Sequence, residues 1–115
     1  MRLRRGHKYG ARKTTVDGIT FDSMAEARYY KELKLLMMAG EITEIKQQPR
    51  YEIIAPYAIN GKKVRATYYV ADFEVRYKDG NREVIDVKGF KTEAYRLKKK
   101  LFESIYRVPI KEVSA

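Results

Sequence analysis

Tyr69-Val70-Ala71-Asp72-Phe73-Glu74-Val75-Arg76-Tyr77, the turn Lys78-Asp79-Gly80-Asn81, and then Arg82-Glu83-Val84-Ile85-Asp86-Val87-Lys88-Gly89 form the stretch that decides the fold. Apolar and charged residues alternate on both sides of the turn, which is the period of a strand. In residues 82–88, Glu83, Ile85 and Val87 point one way, and Val84, Asp86 and Lys88 point the other. On the preceding strand Ala71, Phe73, Val75 and Tyr77 take one face, and Asp72, Glu74 and Arg76 take the other. The turn makes the two strands antiparallel neighbours, so Asp72 near the start of one lies near Asp86 at the end of the other. Asp86 and Lys88 share a face, roughly 7 Å apart along the strand. Two carboxylates at such a spacing repel, and a hard divalent cation removes the repulsion by coordinating both.

Upstream, residues 13–21 read as a short hairpin around Asp17-Gly18, a type I′ turn signal. Ser23-Met24-Ala25-Glu26 is a capping-box pattern, and it predicts a helix running to Gly40. Its apolar stripe is Met24, Ala27, Tyr30, Leu33 and Met37, with Leu36 beside it. Residues 42–48 suit a short strand ended by Pro49, and residues 51–59 and 62–77 flank a second hairpin signal, Asn60-Gly61. Downstream, helix signals resume at Thr92, with Ala94, Leu97, Leu101 and Ile105 as the apolar stripe and Phe102 flanking it. Pro109 limits a last strand, 108–113, to an edge or a strand start. The order is helix, three to four strands, helix, strand. The predicted class is α/β, one mixed central sheet flanked by helices.

With 115 residues the chain holds one core. The division read from sequence is a basic flexible arm, 1–12, and a single domain, 13–115. There is no cysteine, which removes disulfides, thiol catalysis and cysteine-based zinc sites, and the single histidine, His7, makes a histidine-rich metal site or a Ser-His-Asp triad a poor reading. No apolar run reaches the roughly 20 residues of a membrane span. The N-terminal run lacks the apolar stretch of a signal peptide, so no membrane and a cytoplasmic setting are expected. The formal net charge of +10 is uneven. Residues 1–13 carry a local +6 and residues 88–100 a local +5, leaving a near-neutral body. Two basic patches on such a body form the footprint of a polyanion-binding protein, since phosphate neutralisation with counterion release drives nucleic-acid binding.

The acids and the lysine together suit phosphodiester hydrolysis. A divalent ion polarises the phosphate and lowers the pKa of a bound water, and an adjacent lysine offsets charge in the transition state. Tyr69-Val70-Ala71-Asp72-Phe73 followed by Glu83-Val84-Ile85-Asp86-Val87-Lys88-Gly89 resembles the signature of the PD-(D/E)xK nuclease superfamily. Glu26 on the first helix resembles the additional acid of the Holliday-junction resolvases in that superfamily. The nearest likeness is to small phage-encoded nuclease-like proteins with a Ser-x-x-Glu helix, a Tyr-x-Ala-Asp-Phe strand and an Asp-Val-Lys-Gly strand. The likeness covers residues 20–113. It implies a restriction-endonuclease-like core, Asp72 and Asp86 as ligands of Mg²⁺ or Mn²⁺ with the Val87 carbonyl, Glu26 as a direct or water-mediated ligand, and Lys88 as the catalytic lysine. Two positions depart from the pattern: Ala71 stands where a proline would precede Asp72, and the second acid is Asp86 rather than a glutamate.

Arg4, Arg5 and Lys8 in the arm and Lys91, Tyr95, Lys98 and Lys99 on the basic helix are the candidate DNA contacts, by phosphate binding or base stacking. Glu74 reads as a surface residue. The first functional reading is a metal-dependent DNA endonuclease acting on branched or recombining phage DNA, with a homodimer as the expected assembly for cutting two strands. The alternatives are a catalytically idle nucleic-acid-binding module with the same fold, and an RNA-binding structural protein.

Overall fold

The computed structural model describes residues 12–115. Its elements in chain order are β1 (Thr14–Val16), β2 (Ile19–Phe21), α1 (Met24–Met38), β3 (Ile42–Gln47), β4 (Arg50–Ile54), β5 (Tyr57–Ile59), β6 (Lys62–Val64), β7 (Thr67–Val70), β8 (Phe73–Tyr77), β9 (Arg82–Lys88), α2 (Glu93–Tyr106) and β10 (Ile110–Ser114). The class is mixed α/β. A four-stranded sheet runs β10-β9-β8-β3, with β10 parallel to β9 and the other pairs antiparallel. Three two-stranded ribbons, β1-β2, β4-β7 and β5-β6, complete the strands. No helix among the described residues is long and apolar enough to cross a membrane.

Both hairpin signals act as their residues dictate. Asp17 and Gly18 sit at φ 54° and 77°, and Asn60 and Gly61 at 51° and 76°, the doubly left-handed pairs of type I′ turns. The Ser23 hydroxyl caps α1 by accepting from the Glu26 N–H at 3.1 Å, and Thr92 caps α2 by accepting from the Tyr95 N–H at 3.0 Å.

One layer of core lies between α1 and the sheet, built on Phe21, Ala27, Tyr30, Leu33, Phe73, Val75, Ile85 and Val87. The other lies under α2 and holds Ile53, Tyr69, Ala71, Val84, Tyr95, Phe102 and Ile110. Within α1 the predicted stripe is buried at Ala27, Tyr30 and Leu33, but Met24 and Leu36 are exposed. The stripe predicted for α2 is on the wrong side. Leu97 and Ile105 are 58% and 50% exposed and Ala94 faces solvent, while Tyr95 and Phe102 are buried with Leu101 and Tyr106 half-buried beside them. The two stripes differ by one residue, about 100° of helix. The aromatic one wins because β4 and β7 present Tyr51 and Tyr69 to it. Tyr51 packs edge-on to Phe102 at 4.8 Å, and Phe102 stacks on Tyr106 at 5.0 Å.

The strands predicted as 51–59 and 62–77 are both interrupted, and one interruption positions Asp72. Gln48 is left-handed at φ 50° and is followed by Pro49, which ends β3. Opposite this bend the chain breaks between β7 and β8 at Ala71-Asp72. The Gln48 N–H donates to the Asp72 carbonyl at 2.9 Å and the Ala71 N–H to the Pro49 carbonyl at 3.1 Å, so the two strands bend together. Ala71 therefore shares the α2-side core with Tyr69, whereas Phe73 turns to the α1 side. An unbroken strand would have placed Ala71 and Phe73 on one face, as the alternation predicts.

Candidate functional site

Asp72 sits at this bend. Its backbone N–H donates to the Ile85 carbonyl at 3.1 Å, and its carboxylate accepts from the Val87 N–H at 2.7 Å. The register Phe73↔Ile85 then leaves Asp86 one residue further along β9. Asp72 is the shared member of an acidic row: it meets Glu26 from α1 on one side and Asp86 on the other. Burial and the Glu26 carboxyl push Asp72 up to about 7. Burial lifts Asp86 to about 6, with the Asp72 charge adding to the rise and the Tyr69 hydroxyl and Lys88 opposing it.

Asp86 is 1% exposed. Its Oδ2 accepts from the Tyr69 hydroxyl. Its Oδ1 is fully buried and accepts no hydrogen bond, although the Lys88 Nζ stands 3.4 Å away. That distance without hydrogen-bond geometry is an ion pair only. Lys88 is also seated over the Tyr95 ring at 4.6 Å, so its ammonium is held beside Asp86. Burial beside a carboxylate raises Tyr69 well above the usual phenol range, which keeps it a donor.

Glu26 resolves its two possible roles in a particular way. The cap is made by its backbone N–H on Ser23. Its half-buried carboxylate points into a cavity of about 190 Å³ that it lines with Asp72, Gln47 and Gln48. Glu26 also lines a larger groove of about 770 Å³, bounded by Met24, Val87, Gly89 and Phe90, with Phe90 75% exposed at its rim. Of Glu26, Asp72 and Asp86, only Glu26 lines this groove. Asp72 and Asp86 are the residues that could hold a cation. Among the described residues, no three acids or histidines converge tightly enough to do so on side chains alone.

The structure separates the predicted DNA contacts. Arg4, Arg5 and Lys8, with His7, lie outside the described residues. Tyr95 is no stacking platform: it is buried, and its hydroxyl donates to Glu112 at 2.8 Å. Lys91 and Lys99 are drawn to the same carboxylate, at 3.0 and 3.1 Å. Those three groups hold Glu112 down at about 2. Glu112 is cross-strand from Asp86, and this one acid on β10 engages Lys91, just before α2, and Lys99 on it. Lys98 remains exposed. Glu74, predicted at the surface, is 6% exposed, because the Tyr51 hydroxyl donates to it and Arg82 approaches to 3.7 Å. Two participants carried a weak sequence signal: Tyr69, three residues before Asp72 in the motif, and the Gln47-Gln48-Pro49 bend.

A mixed α/β domain with three neighbouring carboxylates, buried or half-buried, and a lysine beside one of them is the class this arrangement defines. The chain belongs to the family described as protein of unknown function (DUF1064), whose sequence profile matches residues 6–113. No curated protein matches the chain.

Proposed function

We propose that the protein is a metal-dependent DNA endonuclease of PD-(D/E)xK type, with Asp72, Asp86, Lys88 and Glu26 as its site. The observation that carries this reading is that Asp72 meets both Glu26 of α1 and Asp86 of β9, with Lys88 3.4 Å from Asp86. The Asp86 Oδ1, buried without a hydrogen bond, is the sort of atom a hard cation completes. Asp72 and Asp86 would hold Mg²⁺ or Mn²⁺, helped by the Val87 carbonyl. When bound, the ion polarises the scissile phosphate and lowers the pKa of the attacking water.

The chain's own groups do the rest. Burial raises both Asp72 and Asp86, and a positive charge held beside them would favour their ionised forms. Tyr69 fixes the Asp86 carboxylate in one orientation, leaving Oδ1 free. Lys88 presents its ammonium to the phosphate and offsets the charge that develops there. Glu26, reaching the same cavity, accepts a proton or orients water beside Asp72.

The second reading, an idle nucleic-acid-binding module of the same fold, draws on the absence of a three-acid cluster among the described residues. One experiment separates them. Plasmid and forked DNA are incubated with the protein and Mg²⁺ or Mn²⁺, alongside Asp86→Asn. The nuclease reading expects nicking by the parent, none by the variant, and equal or tighter DNA binding by the variant. DNA binding by the parent without metal-dependent nicking supports the idle module and refutes the enzyme.

A further inference from the structure

Residues 54–63 are all exposed, yet β5 and β6 pair in register around the Asn60-Gly61 turn. This ribbon packs substantially on no other element among the described residues. It extends the β4-β7 pair beyond Ala55-Pro56 and Arg65-Ala66, away from Asp72. Directly opposed residues share a face, so Tyr57 with Val64 and Ile59 with Lys62 make one side, and Ala58 with Lys63 makes the other. Arg65 follows in the link between β6 and β7. No acid occurs between Glu52 and Asp72, while Lys62, Lys63 and Arg65 do. Each face therefore carries one lysine, Lys63 beside Ala58 and Lys62 beside Ile59. The second face also leaves Tyr57 and Ile59 51% and 58% exposed, which the ribbon's own fold gives no reason to do.

We propose that the β5-β6 ribbon is a DNA-engaging arm. Lys63 and Arg65, with Lys62 beside the turn, lie along the phosphate backbone, and Tyr57 and Ile59 meet bases that have left the duplex stack. The charge is complementary, and an aromatic beside cations is the combination that holds unstacked bases. The dimensions agree. Two strands about 4.8 Å apart and about 10 Å long enter a groove about 12 Å wide or the mouth of an opened duplex. Thr67 at the base of the arm is five residues from Asp72 with the bend between them, so the two are at most about 17 Å apart. The proposal rests on the reading of the partner as DNA, but not on cleavage.

The test measures binding of the full chain in EDTA, by fluorescence anisotropy, to a blunt duplex and to a forked duplex of the same length with unpaired arms. The triple variant Lys62→Gln, Lys63→Gln and Arg65→Gln should flatten the slope of log affinity against log salt on the blunt duplex, by up to roughly 0.9 per lost contact. The double variant Tyr57→Ala and Ile59→Ala should leave that slope alone and lower the preference for the fork by about tenfold, the scale of one lost stacked base. All these side chains lie on an exposed ribbon, so circular dichroism should match the parent. An unchanged slope in the first variant together with an unchanged preference in the second overturns the proposal. So does sedimentation showing that the double variant turns a dimer into a monomer with DNA binding intact, because the apolar face then belongs to a second copy. Failure of the parent to nick DNA with Mg²⁺ would sink the nuclease reading and leave these binding comparisons standing.

Discussion

Tyr69→Phe removes one oxygen from a fully packed ring and leaves the shape of the core unchanged, so its effect falls on Asp86. Tyr69 is 2% exposed, and its hydroxyl is the strongest influence opposing the burial that raises Asp86. A hydrogen bond to a charged group is worth about 1.5–3 kcal/mol. Expressed as a proton equilibrium, its loss raises Asp86 by about 1–2 units above the present value of about 6. At pH 7 the ionised fraction then falls from about nine-tenths to between about a half and a tenth. A cation that needs the ionised carboxylate should bind about two- to tenfold more weakly at pH 7, and regain parent affinity near pH 9. The assay is calorimetric titration with Mn²⁺ at both values of pH, with the Asp86 carboxyl followed by carbon NMR. An Asp86 titration that does not move in Tyr69→Phe refutes the claim that this hydroxyl tunes the site. A deficit that persists at pH 9 refutes the protonation argument and points instead to lost orientation.

Asp72 and Asp86 are both raised, so the folded state holds protons that the unfolded chain has released, and stability should fall as pH rises from about 4 through about 6 and 7. Asp72→Asn should flatten that decline and raise the melting temperature at pH 8 but not at pH 4, as read by thermal denaturation. Glu26→Gln keeps the backbone N–H that Ser23 caps, so it should hold the melting temperature within a few degrees, lower the Asp72 pKa, and cut metal-supported nicking by at least about tenfold, a barrier change of about 1.4 kcal/mol. Ser23→Ala should instead cost about 1 kcal/mol of stability in a denaturant titration, with nicking kept. Glu112→Gln should release Lys91 and Lys99 and tighten DNA binding in anisotropy measurements, most visibly at low salt.

The acidic row was legible because it rests on local rules. The turn at 78–81 fixes an antiparallel register, and the register brings the chain at Asp72 close to Asp86. Type I′ turns at Asp17-Gly18 and Asn60-Gly61 and the Ser23 and Thr92 caps are equally local. What escaped depends on partners distant in sequence. Glu74 looks solvated until Tyr51, 23 residues earlier, is brought to it. Lys91 and Lys99 look like free cations until β10 sets Glu112 between them. On α2, two stripes one residue apart are equally periodic, and only the aromatic floor laid by β4 and β7 chooses between them. The break at Ala71-Asp72 leaves no mark in its own strand, because its cause sits in Gln48-Pro49 on the neighbouring one.

That last dependence has an evolutionary side. The position of the Asp72 carboxylate is written into two segments, and one of them, 47–49, contributes no acid to the row. A drift in Gln48 towards a β-branched residue, which resists the left-handed conformation, would straighten β3 and pull the partner strand with it. The acid would swing out of reach of Glu26 with every carboxylate still in place. Loss of the arrangement in a descendant chain therefore need not show at any of the four charged positions. Glycine or asparagine at 48 should be the substitutions a working lineage accepts, because both enter that conformation readily.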